Sequence, residues 1–283
     1  MSEQTQLAPE PELPAEPSPT ADAGKPGPDV PFDVDPPAPD PANPFTPAAR
    51  TAQKARVAFF GPSKSGKTMS ALLTARGIIG DGRIAVIDTE GGRVNLYAGL
   101  PPLATEAQPQ GFDTITMEPP FHPQRVEGGI RAAEQAGYEI VVIDGLSPFW
   151  ENLGGVLEIV DAATPKGGNK FTSGWSVGTP AYQLMVSAIT HAPIHVVCTI
   201  RSKTEYAMQP NERGKMEPKK IGLAPVQRNG IEYEFDITAQ LDEAHTAQLG
   251  ARGPFEGRSV AQPGIGFGRQ VREWLDTGTV SDD

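Results

Sequence analysis

The stretch VAFFGPSKSGKTMSALLTARG, residues 57–77, limits the possible folds more than any other part of the chain. Val57 to Phe60 is an apolar run, Gly61, Gly66, Lys67 and Thr68 fit G-x-x-x-x-G-K-S/T, and a helix-compatible segment follows. Such glycines let a loop curl with its backbone N–H groups inward, while the helix start adds partial positive charge, so the loop is built to cradle phosphates. Gly61, Pro62, Ser63, Lys64, Ser65, Gly66, Lys67, Thr68 and Met69 are the expected contacts to ATP, with Lys67 on the β and γ phosphates and Thr68 on Mg²⁺.

The loop implies a sheet around it. Four apolar runs, at 57–60, 84–88 (IAVID), 140–144 (IVVID) and 194–200 (IHVVCTI), lack polar alternation, as strands covered on both faces do. Helices are expected over 67–77, 124–135 and 180–190, giving a mostly parallel α/β sheet with helices on both faces. After Arg201 the short segments TEYAMQP, GKMEPKKIG, IEYEFDITAQLD and HTAQLGA, parted by Gly, Pro and Asn, read as antiparallel strands, and a last helix is expected over 268–275.

Composition sets the boundaries. Residues 1–50 hold 14 of the 30 prolines and nine acids against two bases, too little apolar surface to offset chain entropy, so they read as a disordered acidic tail. The expected folded domain is 51–276, with a flexible end over 277–283. Most of the net charge of −11 sits on that tail, so a polyanionic partner is judged by local patches. No apolar run nears the ~20 residues of a membrane-spanning helix and no secretory leader is evident, so a cytoplasmic protein without a membrane partner is expected. Cys198 is the single cysteine, and Pro193 separates His191 from His195, which argues against zinc.

A phosphate loop needs an acid at the tip of another buried strand to orient hydrated Mg²⁺, and Asp144 ends IVVID in that way. Asp88 ends IAVID likewise and stands as its rival. Glu90, two residues on in DTEGG, suits a general base toward the attacking water, or is a solvated loop acid. The guanine-reading N-K-x-D is missing, since NKFT at 169–172 lacks its aspartate, and Pro62 excludes the lysine-bearing loop of partition ATPases.

GPSKSGKT, IDTE, VVIDG and TIRSK, with IRSKTEY and KIGLAPVQRNGIEYEFD further on, resemble the RecA-like core ATPases, most closely the phage RecA-like AAA-ATPases that include single-strand annealing recombinases. The resemblance implies a RecA-like P-loop NTPase core, with Lys67, Glu90 and Asp144 catalytic and Thr68 and, through water, Asp144 on the metal. It also implies Thr199 in the γ-phosphate sensing place that a glutamine holds in RecA, and Arg252 or Arg258 reaching a neighbouring subunit's nucleotide in a homo-oligomer.

Residues 201–228 carry seven bases against three acids, a local excess of positive charge in an acidic chain. Arg201, Lys203, Arg213, Lys215, Lys219 and Lys220 are the candidates for a single-stranded DNA backbone, and Tyr206 and Trp175 for stacking on bases. A solvated hairpin and a loop-anchoring tryptophan are the competing readings. Two functions follow: a DNA-stimulated ATPase that binds single-stranded DNA and assists annealing, recombination or repair, or a nucleotide-dependent adaptor that does not bind DNA itself and whose tail recruits a replication or recombination partner such as a single-strand binding protein. A small-molecule kinase fits less well, because the basic stretch reads as a hairpin and not as a lid.

Overall fold

The computed structural model describes residues 45, 51–210, 215–251 and 253–277. The remainder of the expected tail, residues 278–283, Arg213 and Arg252 lie outside the described residues, as do the side chains of Tyr206 and Lys220.

Among the described residues the framework is a nine-stranded sheet in the order β3-β2-β4-β5-β1-β7-β8-β9, with β6 paired to β5 off that path. Strand β1 (Arg56–Gly61) lies between β5 (His195–Pro210) and β7 (Ile237–Leu241), parallel to both. Strand β2 (Ile84–Asp88) pairs parallel with β4 (Ile140–Asp144), which pairs parallel with β5, so Asp88, Asp144 and Thr199 stand side by side. Helices α1 (Lys67–Ile79) and α6 (Ile265–Thr277) cover one face. Helices α2 (Gln124–Gln135), α4 (Val156–Ala162) and α5 (Gly174–Thr190), with the short α3 (Pro148–Glu151), cover the other. Alternate strand residues feed the two cores: Val57 and Phe59 join α1 while Ala58 faces α5, as the two-residue period of a strand requires. This is the expected α/β architecture of a P-loop NTPase.

The fold departs from the sequence reading in several places, beginning with the short helices α3 and α4, which that reading did not include. Strand β3 (Asp113–Thr116) has no counterpart in that reading: its DTIT is short, polar and mostly exposed, an edge strand pairing only with β2. Helix α5 starts six residues before Pro180 and contains that proline, so the glycine-rich segment 165–176 ends inside a helix. Strand β5 runs ten residues beyond the buried run that announces it and forms a hairpin with β6 (Met216–Pro225). A further departure is β7, expected to be antiparallel but parallel to β1. Its Ile237, Ala239 and Leu241 are fully buried and Thr238 nearly so, which is the signature of a strand covered on both faces. The antiparallel partners are β8 (Thr246–Ala251) and β9 (Ser259–Ala261). Last, α6 begins at Ile265, three residues ahead of expectation.

Candidate nucleotide-binding site

Between the end of β1 and the start of α1 the chain makes a tight loop, and two of its glycines are dictated by space. A Cβ on Gly61 would come within 2.5 Å of the Leu241 carbonyl oxygen, and Gly66 has φ 87°, open to glycine at little cost. Lys64 also adopts positive φ, 67°, a conformation that costs a side-chain-bearing residue energy and is typical of ligand-gripping loops. The Lys67 ammonium donates to the carbonyls of Gly61 (3.0 Å) and Pro62 (2.7 Å), and so lies across the loop. Burial lowers its pKa, against the raising pull of Asp144 and Glu90. A cation so placed gains from an anion beside it.

Asp144 is the center of the polar network. Its carboxylate accepts hydrogen bonds from Thr68 Oγ1 (2.9 and 3.1 Å) and from Thr199 Oγ1 (2.8 Å), and Thr199 Oγ1 itself accepts from the Gly145 N–H (2.8 Å). Burial raises the Asp144 pKa to about 6; the two hydroxyls pull it down, and the nearby charges of Asp88 and Glu90 push it up. Thr68 thus meets Asp144 and not its rival Asp88, one of whose oxygens takes the Glu90 N–H (2.6 Å) while the other is buried with no hydrogen-bond partner among the described residues.

These groups fit magnesium. Carboxylate and hydroxyl oxygens are the hard donors it prefers, and a buried acid facing like charges is relieved by a divalent cation. Among the described residues no three His, Cys, Asp or Glu side chains gather into a metal cage. Mg²⁺ that takes most of its ligands from phosphate and water needs none. Thr68 would bind the ion directly and Asp144 through water.

A cleft of about 400 Å³ opens over this network, lined by Lys67, Thr68, Asp144 and Thr199 below and by Glu90, Arg93 and Arg201 at its mouth. The Glu90 carboxylate accepts from Arg201 Nη2 (2.7 Å) and Nε (3.1 Å), and a second acid, Glu151, lies 3.9 Å from the same guanidinium. The cleft therefore gathers a phosphate loop, a cation, a metal-ready acid and a carboxylate that can take a proton from water.

A family model described as AAA domain matches residues 53–264. The chain belongs to the AAA-domain family. None of the curated proteins compared with it matches. The AAA domain contains every cleft residue named above and ends just before α6. Membership makes the protein a nucleotide-binding P-loop protein of the ATPase class. None of the described helices is long and apolar enough to cross a membrane.

The basic candidates separate into two groups. Lys203, Lys215 and Lys219 are exposed along the β5–β6 hairpin. Arg201 instead turns into the cleft, and Arg228 lies 5.4 Å from the rings of both Trp175 and Tyr182. Trp175 stacks on Trp150 (6.0 Å between centroids), which ties the start of α5 to α3. Arg258 sits 5.6 Å over Phe255. Sequence reasoning missed Arg201 as the partner of Glu90, because the two are 111 positions apart and only the β2-β4-β5 order makes them neighbors.

Proposed function

We propose that this AAA domain is a RecA-like, phage-type ATPase that binds single-stranded DNA as an oligomer and assists annealing, recombination or repair. One observation carries the reading. Strand β5 passes from Thr199, under Asp144, through Arg201, on Glu90, directly into the exposed hairpin with Lys203, Lys215 and Lys219. A polyanion drawn along that hairpin bears on the same strand that holds the hydrolytic carboxylate.

The loop N–H groups and Lys67 bind and orient the triphosphate, and bound Mg²⁺ supplies charge neutralization on its oxygens. Thr68 would hold that ion directly and Asp144 through water. Glu90 accepts the proton of the attacking water at its carboxylate once Arg201 yields it. Thr199 links this event to β5 through its bond to Asp144.

ATP turnover measured with and without an oligonucleotide, alongside fluorescence titrations at several salt concentrations, tests the proposal. The expected result is stimulated turnover and binding that weakens steeply with salt. Turnover without any oligonucleotide binding, with or without ATP, replaces it with the adaptor reading.

A further inference from the structure

Glu90, Asp144 and Arg201, the groups for the γ phosphate, all come from β2, β4 and β5, on one side of β1. A triphosphate lying in the loop with its γ end toward them sends its nucleoside out on the other side of β1, where β7 and the β7–β8 turn stand. That turn touches the loop. The Leu241 carbonyl packs on Gly61, and a Cβ on Gly66 would come within 3.0 Å of His245 Nδ1 and 3.7 Å of two ring carbons.

The turn is held in shape. His245 N–H donates to the Asp242 carbonyl (3.2 Å), and Thr246 N–H to the Asp242 carboxylate (2.8 Å). The Gln262 N–H donates to the His245 carbonyl (2.8 Å). Among the described residues, the non-glycines with positive φ are Lys64, His245 (62°) and Gln262 (47°), so all three belong to the phosphate loop or to this flank of it. Strained backbone shared by a phosphate loop and the turn packed against it is a mark of a ligand-holding surface. His245 itself is exposed, and its ring lies against Gly66 of the phosphate loop.

We infer that His245 is the nucleobase-contacting residue of this site, its imidazole face stacking on the base of the nucleoside triphosphate whose phosphates the loop holds. The inference rests on the nucleotide reading above and adds the side from which the base is gripped. A flat ring on a hydrogen-bonded turn offers a π-face to any purine, as the aromatic platforms of single-strand binders do to their bases.

Calorimetric titration of the full chain with ATP and with inorganic tripolyphosphate, each with Mg²⁺, tests it. His245→Gly removes the ring without steric cost at positive φ, and His245→Phe keeps an aromatic face. The glycine variant is expected to bind ATP roughly tenfold more weakly than the parent, to bind tripolyphosphate unchanged, and to be rescued by phenylalanine. An unaltered ATP affinity, or an equal loss for both ligands, overturns the role of His245 and leaves the phosphate site standing. A parent protein that binds neither ligand overturns the nucleotide reading and this inference with it.

Discussion

Arg201 holds Glu90 by two hydrogen bonds to a single carboxylate oxygen, at 2.7 and 3.1 Å. Glu90, the general base of the proposed mechanism, is thereby tied to the residue that begins the basic hairpin, and its other oxygen stays outside that pair. Glu90→Gln retains the shape and loses the basicity. Turnover should fall by about 10²- to 10⁴-fold, the usual worth of a general base, with ATP affinity near the parental value. Single-turnover assays beside equilibrium binding check both halves, and unchanged turnover removes Glu90 from the mechanism.

Arg201→Gln tests the tie itself. Loss of the guanidinium frees the carboxylate, so DNA-independent turnover is expected to rise severalfold while the ratio with and without oligonucleotide shrinks. A fall in both rates would mean that Arg201 serves the phosphates more than it restrains Glu90.

Asp144 makes the metal-free protein sensitive to pH. Its pKa is raised to about 6, so the folded state prefers the protonated form; the favorable contribution is complete below the ordinary carboxylate range and is lost as pH rises through about 6. The difference from an ordinary aspartate corresponds to about 3 kcal/mol at most. Asp144→Asn, still able to accept from Thr68 and Thr199, should melt higher than the parent at pH 7 in chelator, with the gap closing toward pH 4. The same variant should lose the stabilization that Mg²⁺ and ATP give the parent together. A variant that melts lower at pH 7 would contradict the burial cost assigned to this carboxylate.

How far the residues announce this site depends on the range over which each signal acts. The phosphate loop is local, nine consecutive positions with a strand before and a helix after, and it stands where 57–77 puts it. The two IxVID-type runs end side by side because uninterrupted β-branched runs make buried parallel strands. Only the fold, by setting Thr68 against Asp144, chooses between them. Arg201 on Glu90, His245 on Gly66 and the parallel sense of β7 are products of strand order, which no local pattern encodes. DTIT is hidden for a different reason: an edge strand that buries little needs no apolar run.

The hairpin charges should act on DNA and not on ATP. Lys203 and Lys219 are exposed on β5 and β6. If each neutralizes one phosphate, Lys203→Glu with Lys219→Glu should flatten the slope of log affinity against log salt by about 0.7 for each phosphate no longer neutralized, the single-strand value. ATP affinity measured without oligonucleotide should stay parental. Parallel salt series on parent and double variant decide it, and an unchanged slope would leave these lysines to solubility alone.

His195 gives a separate acid limb, far from the chemistry. Its buried Nδ1 accepts the Ala55 N–H at 2.9 Å, joining the start of β1 to β5, so the ring must be neutral on that side. Burial first, then Lys54, Arg272 and Arg56, lowers its pKa to about 4. A base depressed in the fold contributes stability that is full above its ordinary value of 6.5 and is lost as pH falls through about 4. The loss from this one group reaches about 3 kcal/mol. His195→Gln, whose side-chain carbonyl can accept the same N–H but does not titrate, should start less stable at pH 7 and lose less between pH 6.5 and 4. Urea melts at half-unit pH steps provide the comparison. Equal acid slopes for parent and variant would show that protons enter elsewhere first.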